Sequence, residues 1–166
     1  MSEASAIRDE IVSLIPRLRR FARTLAGSEA DADDLVQLAL ERALTRLGQF
    51  EPGTQLASWL YRIVRNAWID EVRARQRRGR LFAPAEEGEF VGGGGAEEME
   101  TRLEMRAVED AMQQLPEEQR EAIGLVCVEG LSYREAADVL GVPIGTITSR
   151  LARGRETLMA RLSVEA

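Results

Sequence analysis

Apolar residues recur at helical spacing along most of the chain, and the polar and glycine-rich stretches between them mark where each helix should stop. Leu14, Leu18, Phe21 and Leu25 share one face of the segment from Ile7 to Ala26. This predicts a helix, or a helix pair interrupted around Pro16, closed by Gly27. Asp31 reads as the N-cap of a second helix, with Asp33 and Asp34 in its first turn, where acids suit the positive end of the helix dipole. That helix should run through LVQLALERALTRL and stop at Gly48. Pro52 and Gly53 then impose a loop, and a long helix follows from about Leu56 to Arg78. The segment LFAPAEEGEFVGGGGAEE combines Pro, a run of Gly and acids with little apolar periodicity, which reads as an extended linker. Beyond it come a helix from about Met99 to Leu115 and another with Pro116 at its first position and Glu117 and Glu118 in its first turn. The pattern predicts an all-α chain of two small helical units, residues 1–80 and 99–166, joined by a flexible acidic linker over 81–98.

The stretch LSYREAADVLGVPIGTITSRLARGRETLM, from Leu131 to Met159, predicts two helices with a forced break. Ser132 and Glu135 have the S-x-x-E spacing of a capping box. Ala136, Ala137 and Leu140 supply a short apolar face, Gly141 sits where the chain must turn, and Pro143 cannot continue the first helix. A second helix then starts near Ile144 to Thr146, burying Ile147, Leu151 and Leu158. Thr148, Ser149, Ala152, Arg153 and Arg155 face outward, with Arg150 at the flank. Short hydroxyls, a methyl and guanidinium groups suit base edges and phosphates in a major groove. The competing interpretation is an ordinary amphipathic helical hairpin with a solvated basic face.

Composition narrows the chemistry. With no histidine, the usual nucleophilic triads and zinc sites are out of reach, and no P-loop or G-x-G-x-x-G follows a strand-like run. An enzyme is not expected, nor a cofactor. Asp31, Asp33 and Asp34 lack the ligand count and loop of a calcium site. No apolar run is long enough to span a bilayer and the N-terminal MSEASAIRDE is not a signal peptide, so a cytoplasmic protein is expected, with no membrane insertion. The lone cysteine, Cys127 in IGLVCV, reads as core.

All 22 basic residues are arginine, which offers planar, bidentate recognition of phosphate and guanine. The formal net charge of −6 argues against nucleic acid until it is mapped. From Leu81 to Glu104 seven acids face one arginine, a local net of −6, so the rest of the chain is neutral overall. From Arg62 to Arg80 seven arginines face Asp70 and Glu71, a stripe of net +5. Trp59, Tyr61, Asn66 and Trp68 lie beside that stripe, offering stacking platforms and a base-edge amide for single-stranded nucleic acid. The alternative is that the tryptophans are simply core, and for Trp68 this is the favoured assignment.

Three segments in order, DADDLVQLALERAL, FEPGTQLASWLYRIVRNAWIDEVRARQRR and LPEEQREAIGLVCVEGLSYREAADVLGVPIGTITSRLARGRETL, resemble a bacterial RNA polymerase sigma factor of the extracytoplasmic-function type. The FEPGT sequence is similar to that of the alphaproteobacterial general stress subgroup. The resemblance implies a transcription initiation factor whose first unit is sigma region 2 and whose second is sigma region 4. It implies that Asp33, Asp34, Leu35, Val36 and Gln37 dock on the β′ clamp helices of core polymerase, with the β flap as a further contact. It assigns the minus 10 element to Phe50, Gly53, Thr54, Leu56, Trp59, Arg62, Asn66 and Arg73, where the loop and Asn66 capture a flipped base. The minus 35 element falls to Arg134, Thr146, Thr148, Ser149, Ala152 and Arg153, with Arg150 and Arg155 on phosphates. The family also implies an anti-sigma partner and a linker that threads towards the polymerase cleft. Two other readings remain at this point: a helix-turn-helix regulator that acts without polymerase, and a helical adaptor that binds only protein.

Overall fold

The structure, a computed structural model, describes residues 2–79 and 94–165. Most of the expected linker, and Arg80 at the end of the arginine stripe, lie outside the described residues.

Helix α1 spans Glu3–Ala26, capped by the Ser2 hydroxyl, which accepts from the Ser5 N–H, and closed by Gly27 in the left-handed conformation at φ 82. It runs unbroken through Pro16, the first of the two expected alternatives. Proline removes the hydrogen bond to the carbonyl of Val12, but both residues are exposed, so water can serve that carbonyl and the helix tolerates the loss. Helix α2, Glu29–Thr45, is capped by Ser28, whose hydroxyl accepts from the Asp31 N–H at 3.2 Å. Asp31 is therefore inside the first turn rather than at the cap. Its carboxylate reaches across to Arg75 at 3.1 Å. A short 3-10 turn, Leu47–Gln49, leads into the loop, and α3 follows over Leu56–Arg77. The three helices bury Leu18, Phe21, Leu25, Leu35, Val36, Leu60 and Val64 among themselves.

Helix α4 covers Ala96–Gln113, three residues earlier than expected, so the last residues assigned to the linker are helical. Helix α5, Glu117–Ile123, runs into a π turn at Gly124–Val128, and α6 and α7 follow over Tyr133–Leu140 and Ile144–Glu165. Among the described residues there is no strand. Gly154 sets how closely α7 crosses α5, since a Cβ there would lie 2.6 Å from the Ile123 side chain. The π turn overturns one expectation. Cys127 is exposed, because the wider turn rotates it out of the apolar face on which a regular helix would have placed it.

The two units are in contact. Helix α1 packs on α5 and the π turn, and α3 packs on α6, so the buried side chains form one continuous cluster. Glu121 of α5 lies within this join, 3.3 Å from Arg65 of α3. Burial pushes its carboxyl above the ordinary range, with Arg65 opposing. A folded-state pKa above the unfolded one means the native chain holds that proton more tightly, so stability falls as pH rises from the ordinary carboxylate range through the raised value. Thermal melts between about pH 4 and pH 7 should show a loss of stability that Glu121→Gln largely removes, since the amide carries no titrating charge. An unchanged slope in the variant would assign the pH dependence to other carboxylates.

Candidate nucleic-acid interface

The capping box at the start of α6 is complete. The Ser132 hydroxyl accepts from the Glu135 N–H at 3.1 Å, and the Glu135 carboxylate accepts from the Ser132 N–H at 3.0 Å. These bonds hold the Glu135 carboxyl below its ordinary value, so the cap stays charged. Helix α6 ends at Gly141, left-handed at φ 67, and the Val142 N–H returns to the Ala137 carbonyl. The Pro143 carbonyl then accepts the first amides of α7, from Thr146 and Ile147. The result is a tight helix-turn-helix in which Ile147, Leu151 and Gly154 face inward, while Leu158 is partly buried.

On the opposite side of α7, helical spacing centres Ser149, Ala152 and Arg153, all exposed. Thr148 and Arg155 lie along one margin and Thr146 and Arg150 along the other. That arrangement suits base edges at the centre and phosphates at the rims. Thr148 and Ser149 donate their hydroxyls back to the carbonyls of Ile144 and Thr146, bonds that rotate away at little cost when a base edge competes. Arg155 donates to the Cys127 sulfur at 3.5 Å, and Arg134 is exposed on α6.

The first unit presents a narrower surface than expected. Phe50 and Leu56 are buried, Phe50 against Trp59 with ring centroids 5.2 Å apart, because the loop between α2 and α3 tucks its two ends into the core. This corrects their assignment as base readers. What the loop leaves in solvent is its tip, including Gly53 at φ 93 and Thr54. Asn66 and Arg73 are exposed on α3, and Trp59 is half-buried. Trp68 is core: its indole N–H donates to Glu117 and the Arg75 guanidinium lies 5.8 Å from its ring centre. Arg62 is exposed yet engaged, donating to the Asp138 carbonyl of α6 at 2.8 Å.

The start of α2 needs the same correction. Leu35 and Val36 are 4% and 3% exposed and pack inside the three-helix unit, since they fall on the inward face of the helix. Neither is available to a partner. The exposed side is made by Asp33, Asp34 and Gln37. Among the described residues no cluster of metal-ligating side chains occurs and no helix is long and apolar enough to cross a membrane.

Sequence reasoning missed Glu129 and Arg20, which join the two units, and offered Tyr61 as a stacking platform although it is buried and donates to Glu129. The one local signal was an acid in the largely apolar run GLVCVEGL.

Comparison with known proteins agrees with both halves. Residues 11–78 match the Sigma-70 region 2 family and residues 105–158 match Sigma-70, region 4. The chain is 38% identical over 171 residues to the ECF RNA polymerase sigma factor EcfG of Rhodopseudomonas palustris, covering 99% of this chain and 90% of that protein. Among solved structures it is similar to the sigma factor RpoE in its co-crystal with the anti-sigma factor NepR from Bartonella quintana, at 33% identity and a TM-score of 0.79, covering 96% of this chain and 98% of that one. It is also similar to CnrH in complex with the cytosolic domain of CnrY, at 27% identity and a TM-score of 0.75, covering 99% and 92%.

The two exposed arginines of α7 should separate by role. Arg153→Ala is expected to relax sequence preference at one or two positions of duplex DNA and to cost about 1–3 kcal/mol, as for a lost arginine-to-guanine contact. Arg155→Ala should weaken all sequences about equally. Binding of the polymerase complex to a randomised promoter library measures both, and equal loss of preference in the two variants would show that the outward face of α7 is set differently.

Proposed function

The chain belongs to the extracytoplasmic-function sigma factors, promoter-specific initiation factors of RNA polymerase, and we propose that its exposed residues divide this task among three surfaces. Asp33, Asp34 and Gln37 at the start of α2 dock on the β′ clamp helices of core polymerase, with the β flap receiving the second unit. The tip of the Phe50–Leu56 loop, with Gly53 and Thr54, joins the Trp59 edge, Arg62, Asn66 and Arg73 in reading the opened minus 10 strand. Helix α7 enters the major groove of the minus 35 element through Ser149, Ala152 and Arg153, while Arg134, Thr146, Thr148, Arg150 and Arg155 border it. The three roles map onto a first unit over 1–80 and a second unit that begins with α4 at Ala96, with the linker between them.

The observation that carries this division is the unshielded centre of α7 behind a fully capped, tightly turned α6. A helix-turn-helix regulator that works without polymerase is not favoured, because the first unit matches Sigma-70 region 2. Since RpoE and CnrH are each held by a partner in their solved structures, NepR and the cytosolic domain of CnrY, this chain too takes an anti-sigma factor. Its place of work is the cytoplasm, where polymerase is.

Run-off transcription with core polymerase on a promoter library tests the reading as a whole: transcripts should start downstream of one shared pair of elements, and an absence of sigma-dependent transcripts would overturn it. Two variants test the division. Asn66→Ala should leave polymerase affinity and closed-complex formation nearly intact while lowering open complex roughly tenfold, because an amide that both donates and accepts is lost from an extruded base. Asp34→Arg should do the reverse, weakening polymerase binding without disturbing the fold, since the residue is exposed. Permanganate footprinting beside a polymerase pull-down reads both. Normal promoter opening by Asn66→Ala would leave the loop tip as the reader.

A further inference from the structure

Glu129 ends the π turn of the second unit, yet its side-chain bonds run to the first. Arg20 donates from Nε and Nη2 to the two carboxylate oxygens at 2.7 and 3.0 Å, and the Tyr61 hydroxyl donates at 2.8 Å. Arg17 donates to the Glu129 backbone carbonyl at 3.4 Å, and its guanidinium lies 5.7 Å from the centre of the Tyr61 ring. The Glu129 side chain is 0% exposed. Tyr61 is pushed above its ordinary pKa, first by burial and then by Glu129, so it stays a donor.

Other bonds of the join repeat this polarity. Arg62, Arg65 and Trp68 of α3 donate to the Asp138 carbonyl, Glu121 and Glu117. In these bonds the first unit supplies the donors and the second the acceptors, while Gln113 of α4 donates the other way, to the Thr24 carbonyl at 2.9 Å. Each unit also has apolar packing of its own, among α1, α2 and α3 on one side and among α5, α6 and α7 on the other. A join built this way can be broken without unfolding either half.

We infer that Glu129 is an intramolecular latch: seated between Arg20 and Tyr61, it holds the chain closed with α6 against the stretch of α3 that carries Arg62, and so masks part of the minus 10 surface until polymerase draws the units apart. The masking half of this rests on the assignment of α3 to the minus 10 strand; the latch itself does not.

Glu129→Gln tests it in the full chain. The amide keeps the shape and still accepts from Tyr61, but it loses the charge and turns N–H groups towards Arg20. The open fraction should rise on the order of tenfold or more, the loss expected when a charge-assisted pair is replaced. Small-angle scattering should show a larger radius, far-UV circular dichroism should show unchanged helix content, and affinity for a single-stranded minus 10 oligonucleotide should rise. Tyr61→Phe should move the same way by less, and the swap of Arg20→Glu with Glu129→Arg should restore compaction. If both single variants stay as compact as the parent, the latch is refuted. Expansion without a gain in oligonucleotide binding refutes the masking, provided Asn66→Ala still lowers binding in the opened Glu129→Gln chain. If Asn66→Ala has no effect there, the assignment of α3 to that strand has failed instead, while expansion alone still establishes the latch.

Discussion

A carboxylate removed from water is costly unless both oxygens are bonded, and Glu129 is where this chain meets that demand. Its partners come from two helices of the other unit, so the join exists only if α1 and α3 are already fixed relative to one another. The edge-on contact of Phe21 with Tyr61, centroids 5.4 Å apart, does this by holding the tyrosine hydroxyl towards the second unit. The π turn does the rest. It leaves Cys127 in solvent and ends on the buried Glu129, and Gly124 lets that turn come down on α1, where a Cβ would lie 3.1 Å from the Thr24 side chain.

Electrostatics along α3 are set partly by this closure and partly by acids of the first unit itself. The stripe of arginines on α3 looks like a surface for nucleic acid when counted along the chain, but three of its guanidinium groups already face acids. Arg65 faces Glu121, Arg75 faces Asp31 and Glu71, and Arg78 faces Glu71. Arg73 and Arg77 are exposed and form no ion pair among the described residues. Each such pair takes a cation from those that could neutralise a phosphate, and the electrostatic part of binding scales with that number. In the closed chain the Asp138 carbonyl and Glu121 therefore occupy Arg62 and Arg65 ahead of any phosphate.

The helix-turn-helix was legible because each of its devices is local: the S-x-x-E box, Gly141 at the turn, Pro143 after it, and an apolar stripe at helical spacing. Element types elsewhere were legible for the same reason. Burial within a motif was not. Leu35, Val36, Phe50 and Leu56 belong to segments that resemble contact surfaces, but a motif names a stretch of chain and does not say which side of it faces the core. Ser28 displaced Asp31 as the cap because two residues at compatible spacing compete and only the backbone trajectory decides between them. The pairings of Arg20 and Tyr61 with Glu129 span 109 and 68 residues, and no periodicity reports contacts of that kind.

The closed arrangement also conflicts with the geometry of a promoter. Elements named minus 35 and minus 10 are separated by about 25 base pairs, roughly 85 Å of duplex at about 3.4 Å each. Units that share one buried cluster cannot lie on both at once. The 18 residues between Arg77 and Ala96 reach at most about 65 Å when extended, at about 3.6 Å per residue. With the width of the two units added at either end, that span covers the separation, but only if the join at Glu129 is broken and the chain between the units is drawn out. Polymerase is the partner able to supply the energy, because it binds the units at separate sites and thereby stabilises only the separated form. Initiation by this chain is in that sense a competition between one intramolecular contact and two intermolecular ones.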